Sequence, residues 1–171
     1  MNFSIREAQP SDANRVFDLI KELCVYQEKP LSEVVITAQD LIDDGLQSGN
    51  LFRCLVAEIE PSEEADKQDM KEMAGYALYF YGYSTWKGRL LYLEDMYVQP
   101  KYRGIGIGTG FFKRIGQIAV AMKCCRIAFT CLDWNVSAKE FYNKIGSEEQ
   151  PDWKLFYFKS NSIENFLSKF T

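Results

Sequence analysis

Apolar residues recur along this chain at two spacings, and the switches between them mark its elements. A short alternating stretch, Phe3–Glu7, reads as a first strand. Ala13, Val16, Phe17, Ile20 and Leu23 then fall on one face of a helix, which Pro10-Ser11-Asp12 opens as a cap and which gives way near Tyr26, ahead of Pro30. Thr37 predicts the cap of a second, short helix over 38–44, stopped by Gly45. Residues 51–59 read as a second strand and 74–83 as a strongly aromatic third, with 60–73 between them a charged, solvated hairpin loop. Residues 89–98, rich in aromatic, Leu and Val residues and closed by Pro100, read as a fourth strand. Phe111, Ile115, Ile118, Ala119 and Met122 return to helical spacing. A fifth strand over 126–131 follows, then a helix from Val136 to Gly146, a last strand over 154–158 and a short helix over 162–170 with Phe166 and Phe170 on one face. With no repeat, linker or low-complexity segment, residues 1–171 read as one mixed α/β domain.

Composition narrows the function classes. A chain of 171 residues, 47% hydrophobic, is long enough for one well-buried core and short for two. No apolar run approaches the ~18 residues of a membrane span, and the first residues read as a charged strand rather than a signal peptide. The five cysteines are odd in number and contain no C-x-x-C pair, so they read as reduced, half-buried small residues, which fits a cytoplasmic protein. A net charge of −4 speaks against nucleic acid as a partner and toward a cationic small substrate. The absence of histidine removes Ser-His and Cys-His nucleophilic machinery and the usual His-ligated zinc sites; no metal is expected. Proton transfers near neutral pH then fall to carboxylates, tyrosines, lysines, cysteines or water.

The chemistry concentrates between Tyr92 and Gly110. There a strand feeds a basic, glycine-rich turn, Arg103-Gly104-Ile105-Gly106-Ile107-Gly108, which opens a helix. Backbone N–H groups at such a helix start converge, and the helix dipole adds partial positive charge, so the turn suits a phosphate. It is not a Walker A loop, because Thr109 and Gly110 stand where Lys and Ser/Thr would be needed. Nor is it a dinucleotide fingerprint, because Thr109 replaces the third glycine. A turn that only packs a helix against a strand would also use these glycines.

Arg-x-x-Gly-x-Gly resembles the acetyl-coenzyme A pyrophosphate loop of the Gcn5-related N-acetyltransferases. With Tyr83-Ser84-Thr85-Trp86-Lys87-Gly88-Arg89, Tyr92-Leu93-Glu94-Asp95 and Leu132-Asp133-Trp134-Asn135, the chain is similar to the diamine (spermidine/spermine) N-acetyltransferases, and closer to their thialysine N-epsilon-acetyltransferase branch. The similarity runs from Ile5 to Trp153 and is weakest in the acidic loop near residue 65 and at the C-terminus. It implies a twisted mixed sheet splayed between strands four and five, with acetyl-CoA as co-substrate in the resulting cleft. It also implies a homodimer, to which the aromatic C-terminal segment would suit an exchanged contact.

The resemblance assigns roles residue by residue. Glu94 becomes the base that deprotonates an amine, through water, and Tyr142 the acid that protonates the departing thiolate. The backbones of Met96, Tyr97 and Val98 meet the pantetheine arm, and Arg103, Gly104, Ile105, Gly106, Ile107, Gly108 and Thr109 meet the phosphates. Asn135, Val136, Ser137 and Ala138 hold the arm from its other side. Asp95 is cast as an anchor for the substrate ammonium. Neighbouring residues of a regular strand point to opposite faces, so Glu94 and Asp95 share a site only if the strand is bulged.

Substrate choice departs from the diamine pattern. The polyamine enzymes carry Tyr-Glu where this chain has Tyr26-Gln27, and an aspartate near Trp86 where it has Ser84-Thr85. Losing two carboxylates weakens the grip on a long polycation. A small amine such as thialysine is therefore expected, with Tyr26, Gln27, Trp86, Asp133 and Trp153 as further pocket residues. Spermidine/spermine acetylation and a non-catalytic CoA-binding protein are the rival readings.

Overall fold

Five strands, lying in the sheet in the order of the sequence, organise most of the chain. The computed structural model describes residues 2–60 and 72–170, so the expected loop over 60–73 lies largely outside the described residues. Two compact units divide the chain, Met1–Asp133 and Trp134–Thr171.

In the first unit, β1 (Phe3–Glu7), β2 (Arg53–Ile59), β3 (Glu72–Ser84) and β4 (Gly88–Val98) pair antiparallel in sequence. β3 and β4 join through a three-residue turn, Thr85-Trp86-Lys87, closed by Gly88 at φ 88°. A glycine supplies that left-handed backbone without strain. β5 (Ile127–Ala128) adds parallel to β4, and only through Leu91↔Ile127 and Tyr92↔Ala128. The fifth strand is thus two residues, not the expected 126–131. Beyond Tyr92, β4 keeps β3 on one side and has no strand on the other among the described residues. This is the expected splay.

Side chains alternate across the sheet, so it presents an apolar set on each face. Leu55, Ala57, Ala77, Tyr79, Leu91 and Leu93 pack with Ile107, Phe111, Ile115 and Ala119 of α3 (Ile107–Ala121). Cys54, Val56, Tyr76 and Tyr97 pack on the opposite face with Val16, Leu19 and Leu23 of α1 (Ala13–Tyr26) and with Leu41 of α2 (Ala38–Leu41). Of the third strand's aromatics, Tyr76 and Tyr79 are fully buried and Phe80 is half-buried, whereas Tyr81 and Tyr83 are exposed.

Two local expectations change. Asp12 does not cap α1 with its side chain; its carboxylate accepts instead from Arg6 at 2.7 Å and from the Gln9 N–H at 2.7 Å. Gly45 does not stop the second helix: Thr37 and Asp40 form the capping box, but after Leu41 the chain widens into a π-turn, Ile42–Leu46. The Phe52 ring packs where a Cβ on Gly45 would stand.

The second unit holds α4 (Val136–Lys144) and α5 (Ser160–Leu167). Asn135 caps α4, its side-chain oxygen accepting from the Ala138 N–H at 3.2 Å. The strand expected over 154–158 is absent. Those residues join no strand among the described residues, and Leu155, Phe156, Tyr157 and Phe158 are all exposed, because β-propensity makes a strand only where a partner strand completes its hydrogen bonds.

Candidate active site

The defining feature of β4 is one extra residue. Leu78 pairs with Asp95, but the next residue, Tyr79, pairs with Leu93, so Glu94 is left over as a bulge. The bulge changes which residues face which helix. Before it, Leu91 and Leu93 pack toward α3; after it, Met96 and Val98 do, while Tyr97 joins the α1 side. Glu94 and Asp95 therefore both lie on the α1 face, which a regular strand forbids.

Their environments differ. Glu94 is exposed, whereas Asp95 is half-buried above the fully buried Tyr76, whose hydroxyl donates to its Oδ2 at 3.4 Å. Burial first, and the neighbouring charge of Glu94 second, push the Asp95 carboxyl up to about 6; the Tyr76 hydrogen bond opposes them. Burial likewise pushes Tyr76 well above the ordinary phenol range, so it remains a donor. The result is one exposed and one half-buried carboxyl side by side, an arrangement suited to proton transfer and cation binding.

Six residues after Asp95, Lys101 begins the approach to the glycine loop. Glu72 of β3 accepts from Lys101 Nζ at 2.5 Å and from the Tyr102 hydroxyl, and the Lys101 contact chiefly holds its carboxyl below the usual range. Tyr102 itself is buried in the α3-side core. The loop that follows is exposed at Arg103, Gly104, Ile105 and Gly106. Gly104 and Gly106 take φ of 81° and 98°, the left-handed region that turns successive N–H groups toward one point. Gly106 is the N-cap of α3 and offers no side chain to close it. The first N–H groups of α3, at Ile107, Gly108 and Thr109, thus lack intrahelical partners and sit at the positive end of the dipole.

An open strand edge next to an uncapped helix start fits a ligand with an amide-bearing arm and a diphosphate. The backbone of Met96 and Val98 can pair with the arm, and the loop can hold the anion. These are the groups of acetyl-CoA.

The other expected residues are placed as follows. Tyr26 and Tyr97 come together with Arg103. Gln27 is the C-cap of α1, its N–H donating to Leu23 O at 2.8 Å. Trp86 is exposed in the β3–β4 turn, about 20 Å of strand from Glu94, and is not brought beside it. Asp133 is exposed at the end of the first unit. Asn135, Val136, Ser137, Ala138 and Tyr142 lie at the start and in the body of α4, where Tyr142 meets Phe141 at 5.6 Å; Trp153 is exposed farther along the second unit. Sequence reading missed Glu22, a polar position on α1 that accepts from the Tyr97 hydroxyl at 3.4 Å and from Gln99 Nε2 at 2.9 Å. Nothing in its spacing separates it from an ordinary solvated glutamate.

Comparison with known proteins agrees with this geometry. The acetyltransferase (GNAT) family matches residues 20–146. The pig protein named thialysine N-epsilon-acetyltransferase is 38% identical over 168 residues, covering 96% of this chain and 97% of that one. The human spermidine/spermine N(1)-acetyltransferase-like protein 1 is 36% identical over 164 residues, covering 94% of this chain and 23% of that longer protein. A crystal structure of a predicted acetyltransferase with acetyl-CoA from Clostridium acetobutylicum superposes with a TM-score of 0.68 at 18% identity, covering 92% of this chain and 97% of that one. With a family match over most of its length and a relative 38% identical over 96% of it, the chain belongs to the acetyltransferase (GNAT) family of acyl-transferring enzymes.

Proposed function

We propose that this enzyme transfers the acetyl group of acetyl-CoA to the primary amine of a small cation, with thialysine (S-aminoethyl-L-cysteine) preferred over polyamines. The bulge at Glu94 carries this reading, because it sets two carboxylates on one face beside the open edge of β4. A lysine-like amine has a solution pKa of ~10.4 and arrives protonated. Asp95 receives the ammonium, and Glu94, exposed to water, takes its proton through a water molecule. The freed nitrogen lone pair attacks the thioester carbonyl carbon and an N–C bond forms; as the C–S bond breaks, the thiolate takes a proton from the Tyr142 hydroxyl, and the acylated nitrogen gives up its second proton, through water, to the tyrosinate left behind. The N–H near Met96 is a donor for the developing oxyanion. Arg103 to Thr109 hold the diphosphate, and Asn135 to Ala138 hold the arm.

For the substrate, the support is the pig relative's name and what the chain lacks: Gln27 and Ser84-Thr85 stand where two carboxylates would pair with a long polyamine. Asp133 and Trp153 complete the pocket. The enzyme acts in the cytoplasm as a homodimer. Support for the dimer comes from 155–158, where four consecutive exposed apolar side chains cover both faces of a segment with no strand partner among the described residues, which a second copy would complete as a strand.

A thiol-release assay with acetyl-CoA comparing kcat/KM for thialysine, lysine, putrescine, spermidine and spermine at one pH tests the reading. Thialysine should lead. A lead for spermidine or spermine would return the enzyme to the polyamine class and show that Gln27 and Ser84 do not govern selection.

A further inference from the structure

Arg103 is the first residue of the glycine loop and is exposed, yet its guanidinium is already held. Its Cζ lies 4.5 Å from the centre of the Tyr26 ring and 5.9 Å from that of Tyr97, and the two rings are 6.4 Å apart at 53° to each other. Its Nε donates to Val98 O at 3.0 Å, at the end of β4. Stacking a guanidinium on a ring face consumes none of its N–H groups, because all five lie in its plane. One is used by Val98, and the four Nη–H donors have no partner among the described residues. They remain for an oxyanion.

The bracket is itself fixed from α1. Glu22 accepts from the Tyr97 hydroxyl at 3.4 Å and from Gln99 Nε2 at 3.0 and 2.9 Å to its two oxygens, and it pairs with Arg15 at 3.3 Å. Tyr26 is the last residue of α1, so the negative end of that helix dipole also favours a cation there.

We propose that Tyr26 and Tyr97 are positioning residues that hold Arg103 in place for the diphosphate of acetyl-CoA. Tyr26 thereby acts on the acyl donor rather than in the amine pocket, since the face of its ring is taken by the guanidinium. The gain is preorganisation: an exposed arginine would lose rotamer freedom on gripping a diphosphate, and here that freedom is lost on folding. The proposal rests on the acetyl-CoA-dependent transferase reading.

Calorimetry on the full chain, with coenzyme A and with pantetheine as probes, tests it. Tyr26→Leu should weaken coenzyme A binding about five- to tenfold. Tyr26→Phe, which keeps the ring face, should bind as the wild type does. In an Arg103→Ala background Tyr26→Leu should cost nothing further, because it acts through that guanidinium. Pantetheine, which lacks the diphosphate, should bind Tyr26→Leu and wild type equally. An unchanged coenzyme A affinity in Tyr26→Leu would overturn the bracket, as would an equal loss in the Arg103→Ala background or toward pantetheine. Should Tyr26→Leu melt early, Arg103→Lys serves in its place: it keeps the charge, loses the flat stacked fork, and should weaken coenzyme A while sparing pantetheine, with equal binding overturning the proposal. A wild-type chain that binds no coenzyme A would refute the transferase reading itself; normal binding with no effect of these substitutions refutes only the bracket.

Discussion

Replacing Asp95 by asparagine should make this protein more stable while impairing its activity, and the size of the gain follows from the site. The Asp95 carboxyl ionises at about 6 when folded, against an ordinary value of 3.8. The folded state therefore binds the proton more tightly than the unfolded chain, and stability falls as pH rises between these values. The difference of about 2.2 units corresponds to about 3 kcal/mol lost by about pH 7.5, of which about 1 kcal/mol has been lost at about pH 4.5. Asparagine keeps the shape and can still meet the Tyr76 hydroxyl, but it has no charge to desolvate. Urea unfolding of both proteins near pH 7.5 should show the variant ahead by about 3 kcal/mol, or roughly 6–12 °C in Tm for a chain of this size. Near pH 4.5 the gap should shrink to about 1 kcal/mol. A variant no more stable than wild type near pH 7.5, or a gap that does not close toward acid, would refute the assignment of Asp95 as a strained, desolvated carboxylate. The strain has a use, since a bound ammonium would relieve it; KM for the amine should accordingly fall as pH rises through about 6.

Other outcomes follow from the same geometry. Glu94→Gln should lower kcat by ~10²–10⁴ and leave coenzyme A affinity within about twofold, read by steady-state kinetics and calorimetry. Tyr142→Phe should slow turnover with binding of both substrates largely intact; an unchanged kcat would remove it as the acid. Gly106→Ala places a Cβ on a residue at φ 98° and should cost roughly 1–2 kcal/mol of stability together with cofactor affinity, measured by thermal melting and calorimetry. Sedimentation should find a dimer at micromolar concentration, and Phe156→Lys should shift it to monomer if 155–158 form the contact.

Local pattern was enough for the elements whose apolar faces are laid down within one segment. Phe3–Glu7 and Ala13–Tyr26 have the expected bounds, and the helix after the glycine loop follows Phe111, Ile115 and Ala119 as their spacing requires. Thr37 and Asp40 form a capping box because both partners lie within one turn. The glycine loop was legible for the same reason: its turn, its free N–H groups and its helix are consecutive.

What failed needed a second segment. Residues 154–158 have strand-forming side chains but pair with no strand among the described residues, and 126–131 keep only the two residues that still reach β4. Asp12 has the right residue type for an N-cap, yet Arg6 and Glu58 arrive from neighbouring strands to form an ion cluster that engages it. The bulge at Glu94 could be stated only as a condition, because register is a property of the pair β3–β4 and not of either strand. The same holds for Tyr76 beneath Asp95 and for Glu22 behind Tyr97, whose roles depend on contacts across 19 and 75 residues of chain. Local pattern alone carries the two long helices, the glycine loop and the kinds of groups available for acetyl transfer. Tertiary structure decided which carboxylate is desolvated and where Arg103 rests, because burial and stacking exist only once distant segments have met.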